Sequence, residues 1–231
     1  RTSLRSFFLE HNVRRERLVT QRIDAIRSAT ALTQDDAVIG PNALVVEMLV
    51  AQLRCVIDAI DTFDCAIADT AAKITDYPLF EALPGAGPTL APRLLVAFGE
   101  QRDRYHDAAQ IQRYSGIAPV TERSGKSSWV HWRYAAPTFL RQTFVEWAAQ
   151  TIPRSFWARA FYDQQRAKGS SHQAALRALA FKWIRIVFRC WRDRVPYDET
   201  TYLNALKRRR SSLLSSIATP KVLDGPPQGV S

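Results

Sequence analysis

Cysteine is scarce in this chain, with three among 231 residues, Cys55, Cys65 and Cys190, and no Cys-x-x-Cys pair. An odd number without paired spacing excludes a disulfide framework and a closed zinc site, so the three thiols are expected to pack as small apolar groups in a reducing compartment. Histidine has no metal-ligand pattern either: His11, His106, His131 and His172 show neither HxxxH nor HExxH spacing, and no metal site is expected. Walker and GxGxxG loops are absent, which removes the common phosphate cradles of nucleotide enzymes. No apolar run approaches about 18 residues, because Glu47 interrupts the best stretch at Leu44 to Leu53, and no charged-then-apolar leader opens the chain. The expectation is a soluble, unexported, cytoplasmic protein that does not enter membranes. There is no internal repeat.

What is present is a globular composition, with 46% apolar and 10% aromatic residues, which excludes wholesale disorder. At roughly 150 residues per domain the length allows one or two domains. The net charge of +10 is unevenly spread. Residues 1–100 hold 10 basic and 13 acidic side chains, whereas residues 101–210 hold 21 and 8. A region that basic repels itself unless a polyanion neutralises it, which points to nucleic acid ahead of a small acidic substrate. A basic surface that serves only solubility is the bland alternative.

Residues 3–29 read as one helix with a broken apolar stripe, Leu4, Phe8, Leu18 and Ile26 among arginines. After Gly40-Pro41, the series Val46, Leu49, Leu53, Val56, Ile60, Phe63, Ile67 and Ile74 alternates steps of three and four with one gap at Thr70. That is a coiled-coil seam of about four heptads, ended by Tyr77-Pro78. It requires a partner, either the first helix folded back or the same helix of a second subunit. Asp58, Asp61, Asp64 and Asp69 lie on its polar side and read as a solvated face.

A new unit starts at Leu79. Its segment Leu83-Pro84-Gly85-Ala86-Gly87-Pro88 joins a short helix to a second one ending at Phe98, a helix-hairpin-helix pattern over residues 79–98. Gly85 and Gly87 would let backbone N–H groups reach a DNA phosphate; an ordinary tight corner between helices is the alternative. A short helix from Asp107 to Tyr114 leads into a loop over residues 115–128, rich in hydroxyls, glycines and charge. Residues 128–134 form at most a brief strand, and helices resume over residues 137–209. The stretch from Ser171 to Arg194 is the most regular, with Ser171 as N-cap, a basic stripe of Lys182, Arg185, Arg189 and Arg192, and an apolar stripe of Ala180, Ile184, Val187 and Trp191. A shorter helix from Asp198 ends in Lys207-Arg208-Arg209-Arg210, and residues 211–231 read as a disordered tail.

Ser124, flanked by Arg123, Gly125 and Lys126, has the surroundings of a nucleophile for a phosphodiester: the glycine admits the phosphate and the cations stabilise its developing charge. Ser115, Ser127 and Ser128 are rivals, and Arg-Ser-Gly-Lys is also an ordinary turn sequence.

Several segments, taken in order, resemble one family. These are Leu83 to Gly87 with Ala91 to Gly99, Tyr114 to Pro119, Arg123-Ser124-Gly125, Leu140-Arg141 and the helix from Ala178 to Trp191. Across roughly residues 3–210 they resemble the insertion-sequence transposases of the IS110 type, serine-using recombinases associated with a bridge RNA. The resemblance implies a mainly α fold, with a coiled-coil arm over residues 1–76 and a helical transposase domain over 77–210. It implies Ser124 as the nucleophile, DNA as partner with a guide RNA, assembly of copies through the arm, and a place near the bacterial nucleoid. Arg123, Lys126, Arg133 and Arg141 are candidate phosphate ligands by charge and proximity in sequence. Similar proteins carry four acidic residues in a RuvC-like domain that would bind Mg2+; no such set is expected in this chain. The rival functions are a non-catalytic nucleic-acid-binding module and a coiled-coil assembly protein.

Overall fold

The computed structural model describes residues 3–10, 13, 15–131 and 133–214. Among them are ten α-helices and one two-stranded antiparallel sheet, so the fold is mainly α, as the sequence leads one to expect. The chain divides into two units, Arg1–Ile60 and Asp61–Ser231.

The first unit holds α1 (Leu4–Glu10), α2 (Glu16–Ser28) and most of α3 (Asp36–Ala71). The single helix expected over residues 3–29 is two, because its apolar stripe offers no continuous face to bury. Arg5 instead reaches Glu16 at 2.6 Å, and the Arg22 guanidinium lies over the Phe8 ring at 5.8 Å. Helix α3 starts earlier than expected: Asp35 caps it by accepting the Ala37 N–H at 2.9 Å, and the helix passes through Pro41 in its second turn. It also ends earlier, at Ala71. The following turns carry Ile74 onto the core and Asp76 into a bidentate pair with Arg102, at 2.5 and 2.7 Å, and these anchors override the heptad. The seam residues of the first unit, Val46, Leu49, Leu53, Val56 and Ile60, are 53–60% exposed, so the first helix does not cover them.

The second unit continues with α4 (Tyr77–Glu81), α5 (Gly87–Phe98), α6 (Ala108–Tyr114), β1 (Val120–Ser124), β2 (Ser127–His131), α7 (Thr138–Thr151), α8 (Phe156–Ala167), α9 (His172–Asp193) and α10 (Glu199–Arg208). Helix α9 is its axis, packed by α6, α7 and α8. Its N-cap is Ser171, which accepts the Ala174 N–H, and it closes on Arg194 in the left-handed conformation. Asp107 and Asp198 cap α6 and α10 in the same way.

Four tryptophans build the core, and each indole N–H finds an acceptor. Trp147 donates to the Pro84 carbonyl, Trp157 to the Tyr197 hydroxyl, Trp183 to the Thr151 hydroxyl and Trp191 to the Gly99 carbonyl, at 2.6–3.0 Å. Trp183 lies 4.9 Å from Trp147 and 4.5 Å from Trp157, ring centre to ring centre. From the far side Glu199 caps α8, accepting from the Ser155 hydroxyl and the Phe156 N–H. Residues 211–214, expected to begin a disordered tail, instead bring Leu213 into the core at 3% exposure. The rest of that expected tail, residues 215–231, lies outside the described residues, as does His11.

The cysteines differ from their expected burial. Cys55 and Cys65 stand exposed on α3, as the apolar seam beside them does, while Cys190 is half-buried on α9 with its thiol pushed up to about 11 by burial. Two thiols should react promptly with a disulfide reagent at pH 8 and the third should lag by on the order of a hundredfold until the protein unfolds. A stopped-flow thiol titration with and without denaturant checks this.

Candidate nucleic-acid interface

Ser124 is the last residue of β1 rather than a loop residue, and only Gly125 and Lys126 form the turn, since Ser124 pairs directly with Ser127. Gly125 takes φ +57° while Lys126 does not, the combination of a type II′ hairpin turn, which needs glycine at its first central position. The hairpin projects exposed side chains along nearly its whole length, Ser124 among them.

Strand alternation then sorts the neighbours. Register pairs Glu122 with Trp129 and Val120 with His131, so Ser124, Ser127, Glu122, Trp129 and His131 share one face of the ribbon. The 2.7 Å contact from Glu122 Oε1 to His131 Nε2 spans that face. Arg123 belongs to the opposite face with Ser128. Residues adjacent in sequence are therefore separated, and Ser127, not Arg123, stands beside Ser124. Ser115, by contrast, is 0% exposed, and its hydroxyl donates to the Ile111 carbonyl at 2.7 Å.

The corner between α4 and α5 treats its two glycines differently. A side chain at Gly85 would come within 2.6 Å of the Gln150 backbone oxygen, so this glycine is required for packing against α7. Gly87 faces open space at the start of α5, where Pro88 removes one of the free N–H donors.

Of the candidate phosphate ligands, Arg141 meets the backbone of Arg133 at the foot of the hairpin, away from Arg123 and Lys126. Arg141 Nη1 donates to the Arg133 carbonyl at 3.3 Å, and a side chain at Gly116 would strike the Ala136 Cβ at 2.6 Å, so this segment is pressed onto the end of α6. Beside it lies a cleft of about 550 Å³ lined by Tyr134, Arg141, Gln142, Gln173 and Arg177, among others. Arg177 is lowered to about 10, first by burial and then by the like charge of Arg141. The stripe on α9 is not uniform. Arg185, Arg189 and Arg192 are exposed, whereas Lys182 packs over the Phe161 ring at 4.2 Å, and burial, with help from Arg185, pulls its ammonium below the usual lysine range.

Residues 77–163 match the family described as Transposase IS116/IS110/IS902 family. The matched region starts at α4 and includes the corner, the hairpin, α7 and the first two thirds of α8. Residues 77–163 thus carry a domain of the IS116/IS110/IS902 transposase family. The chain is 31% identical over 151 residues to the Mini-circle putative transposase for IS117 of Streptomyces coelicolor, covering 65% of this chain and 36% of that protein. The 43.6 kDa protein of insertion element IS110 from the same organism is 28% identical over 186 residues, 79% of this chain and 44% of its own length. The 42 kDa protein of IS900 from Mycobacterium paratuberculosis is 28% identical over 185 residues, 75% and 45%. The chain thus spans less than half the length of these relatives.

Among the described residues, no three His, Cys, Asp or Glu side chains gather as a set able to hold a metal ion. No described helix is long and apolar enough to cross a membrane. What sequence reasoning missed in this transposase domain and the helix after it is Arg177 with Tyr134. The only trace was the polar pair Gln173 and Arg177, one turn apart; that it faces Arg141 on another helix is invisible along the chain.

Proposed function

We propose that this chain acts on DNA in the transposition of an insertion sequence, with Ser124 as the nucleophile that cleaves and rejoins a strand. The observation that carries this is the placement of Ser124: exposed beside a glycine turn and Lys126 in the family's transposase domain, while the rival Ser115 is buried and hydrogen-bonded.

In the cleavage step Ser124 Oγ loses its proton and bonds to phosphorus, the P–O bond to the adjoining strand end breaks, and the departing oxygen takes up a proton. The phosphoserine ester keeps the energy of the broken bond, so attack by a strand-end hydroxyl reverses the step without ATP. Lys126 at the turn supplies positive charge to the phosphoryl oxygens. Glu122, two positions back on the same face, is the nearest carboxylate along that strand to receive the proton. The described residues do not fit the Mg2+ that the family resemblance implies, and no step here passes through it. Two copies joined along α3 would present two such hairpins to paired DNA ends. The test is an adduct between full chain and element-end DNA that survives denaturation.

A non-catalytic DNA-binding module is the second reading, favoured by the exposed arginines of α9, which can hold phosphates without any chemistry. Both readings predict salt-dependent binding. Arg185→Gln with Arg189→Gln should weaken duplex binding across sequences and reduce the slope of log affinity against log salt by about 2, measured by fluorescence anisotropy. A protein that binds with the full salt slope yet forms no adduct is the module.

A further inference from the structure

The cleft between the first turns of α7 and α9 has a composition that differs from a merely solvated basic surface. Arg141 and Arg177 enter it from two different helices, close enough that one perturbs the other's ionisation. Two like charges held together in a partly buried recess repel, and an anion seated between them removes that cost. First-turn residues of both flanking helices line it, Thr138 of α7 and Gln173 of α9. Helix α7, moreover, has no side-chain cap on its first turn, which leaves its N–H groups for a ligand. An aromatic ring stands at the rim, for Tyr134 is 80% exposed.

We propose that this cleft binds one nucleotide of a single-stranded nucleic acid, its phosphate between Arg141 and Arg177 and its unpaired base stacked on Tyr134. The cleft volume of about 550 Å³ falls in the range of small-ligand sites and suits one nucleotide. Stacking on an aromatic ring needs a base already out of its duplex, which excludes paired DNA as the occupant. Gln142 and Gln173 add amide groups that can pair with a base edge or a sugar hydroxyl. The position also fits strand chemistry. Tyr134 stacks beside His131 at the foot of the hairpin, and Ser124 lies four strand residues further along from Val120, about 13 Å.

This inference rests on the nucleic-acid reading above, and its test separates the two. Full chain is titrated into a labelled 15-nucleotide thymidine strand, the matching uridine strand and a duplex of equal length, and anisotropy is read for the parent, Tyr134→Ala, Tyr134→Phe and Arg177→Gln. Tyr134→Ala should weaken the preferred single strand about tenfold, with Tyr134→Phe within about twofold of the parent, because stacking and not the hydroxyl carries the contact. Arg177→Gln should weaken the same strand and lower its salt slope by about 1. Duplex affinity should stay within about twofold in every variant. Whichever strand, deoxyribo or ribo, binds more tightly identifies the natural source. Unchanged single-strand affinity in Tyr134→Ala and Arg177→Gln, or equal losses for strand and duplex, overturns the cleft proposal alone. If the parent binds none of the three, the wider nucleic-acid reading falls with it.

Discussion

Ser124→Ala is expected to abolish the covalent protein–DNA adduct outright while changing DNA affinity by less than about threefold. The size of the effect follows from chemistry: alanine has no oxygen to bond to phosphorus, and the remaining charges can hold the strand but cannot become esterified to it. The small effect on binding follows from position, since Ser124 is exposed at the end of β1, beside the two-residue turn. Two companion variants make the outcome diagnostic. Ser127 lies directly across the ribbon on the same face, and Ser128 lies on the other face with Arg123. If the adduct persists in Ser124→Ala and disappears in Ser127→Ala, the nucleophile is one register position away; if it disappears only in Ser128→Ala, the reacting face is the opposite one. An unchanged thermal midpoint for all three variants shows that the hairpin still forms, and denaturing electrophoresis with labelled DNA reads the result. Gly125→Val offers a further control, because a β-branched residue is strained at φ +57° and should disturb the turn with the serine intact.

The parts of this architecture that were legible in the sequence are those whose cause is local. Caps are one-residue signals, and Ser171, Asp107 and Asp198 stand where α9, α6 and α10 begin. The corner after Leu83 was legible because glycine and proline punctuate it. Elements set by tertiary contacts were not. Nothing near Ala71 announces a helix end; it comes from Asp76 meeting Arg102, which also lies over the Trp191 ring at 4.7 Å. Gly85 reads from the sequence as a phosphate glycine, and the structure shows in it a packing glycine, because the Gln150 backbone it touches belongs to a helix far along the chain. At the candidate site the turn at Gly125 was legible, but the neighbours of Ser124 were not. Sequence adjacency put Arg123 beside it, whereas pairing in the hairpin brings Ser127 and Glu122 to its face. The Arg141 and Arg177 pair could not be read at all, since only the packing of α7 on α9 makes them neighbours.

The second large effect concerns the arm. Leu53→Glu with Ile60→Glu should convert an assembled protein into a monomer, raising the dissociation constant by about a thousandfold or more. The apolar seam from Val46 to Ile67 keeps heptad spacing, and every one of its seven residues is about half exposed or more in the single chain. A continuous apolar edge of that length on a helix about 54 Å long is far larger than the scattered apolar residues of an ordinary surface. A second copy of the same helix is the simplest complement. Three of the four residues in one seam row, Val46, Ile60 and Ile67, are β-branched, which favours a pair of strands over higher bundles. Each glutamate placed in that seam must lose its water without gaining a cation, at about several kcal/mol per buried charge, and 1.4 kcal/mol is a factor of ten. Sedimentation velocity over a range of concentrations measures the shift, with Asp58→Ser as the comparison, because that position is off the seam and should leave the mass unchanged. A parent chain that sediments as a monomer at every concentration, or a double variant that still assembles, removes the arm as the joining surface and leaves each hairpin to act on DNA alone.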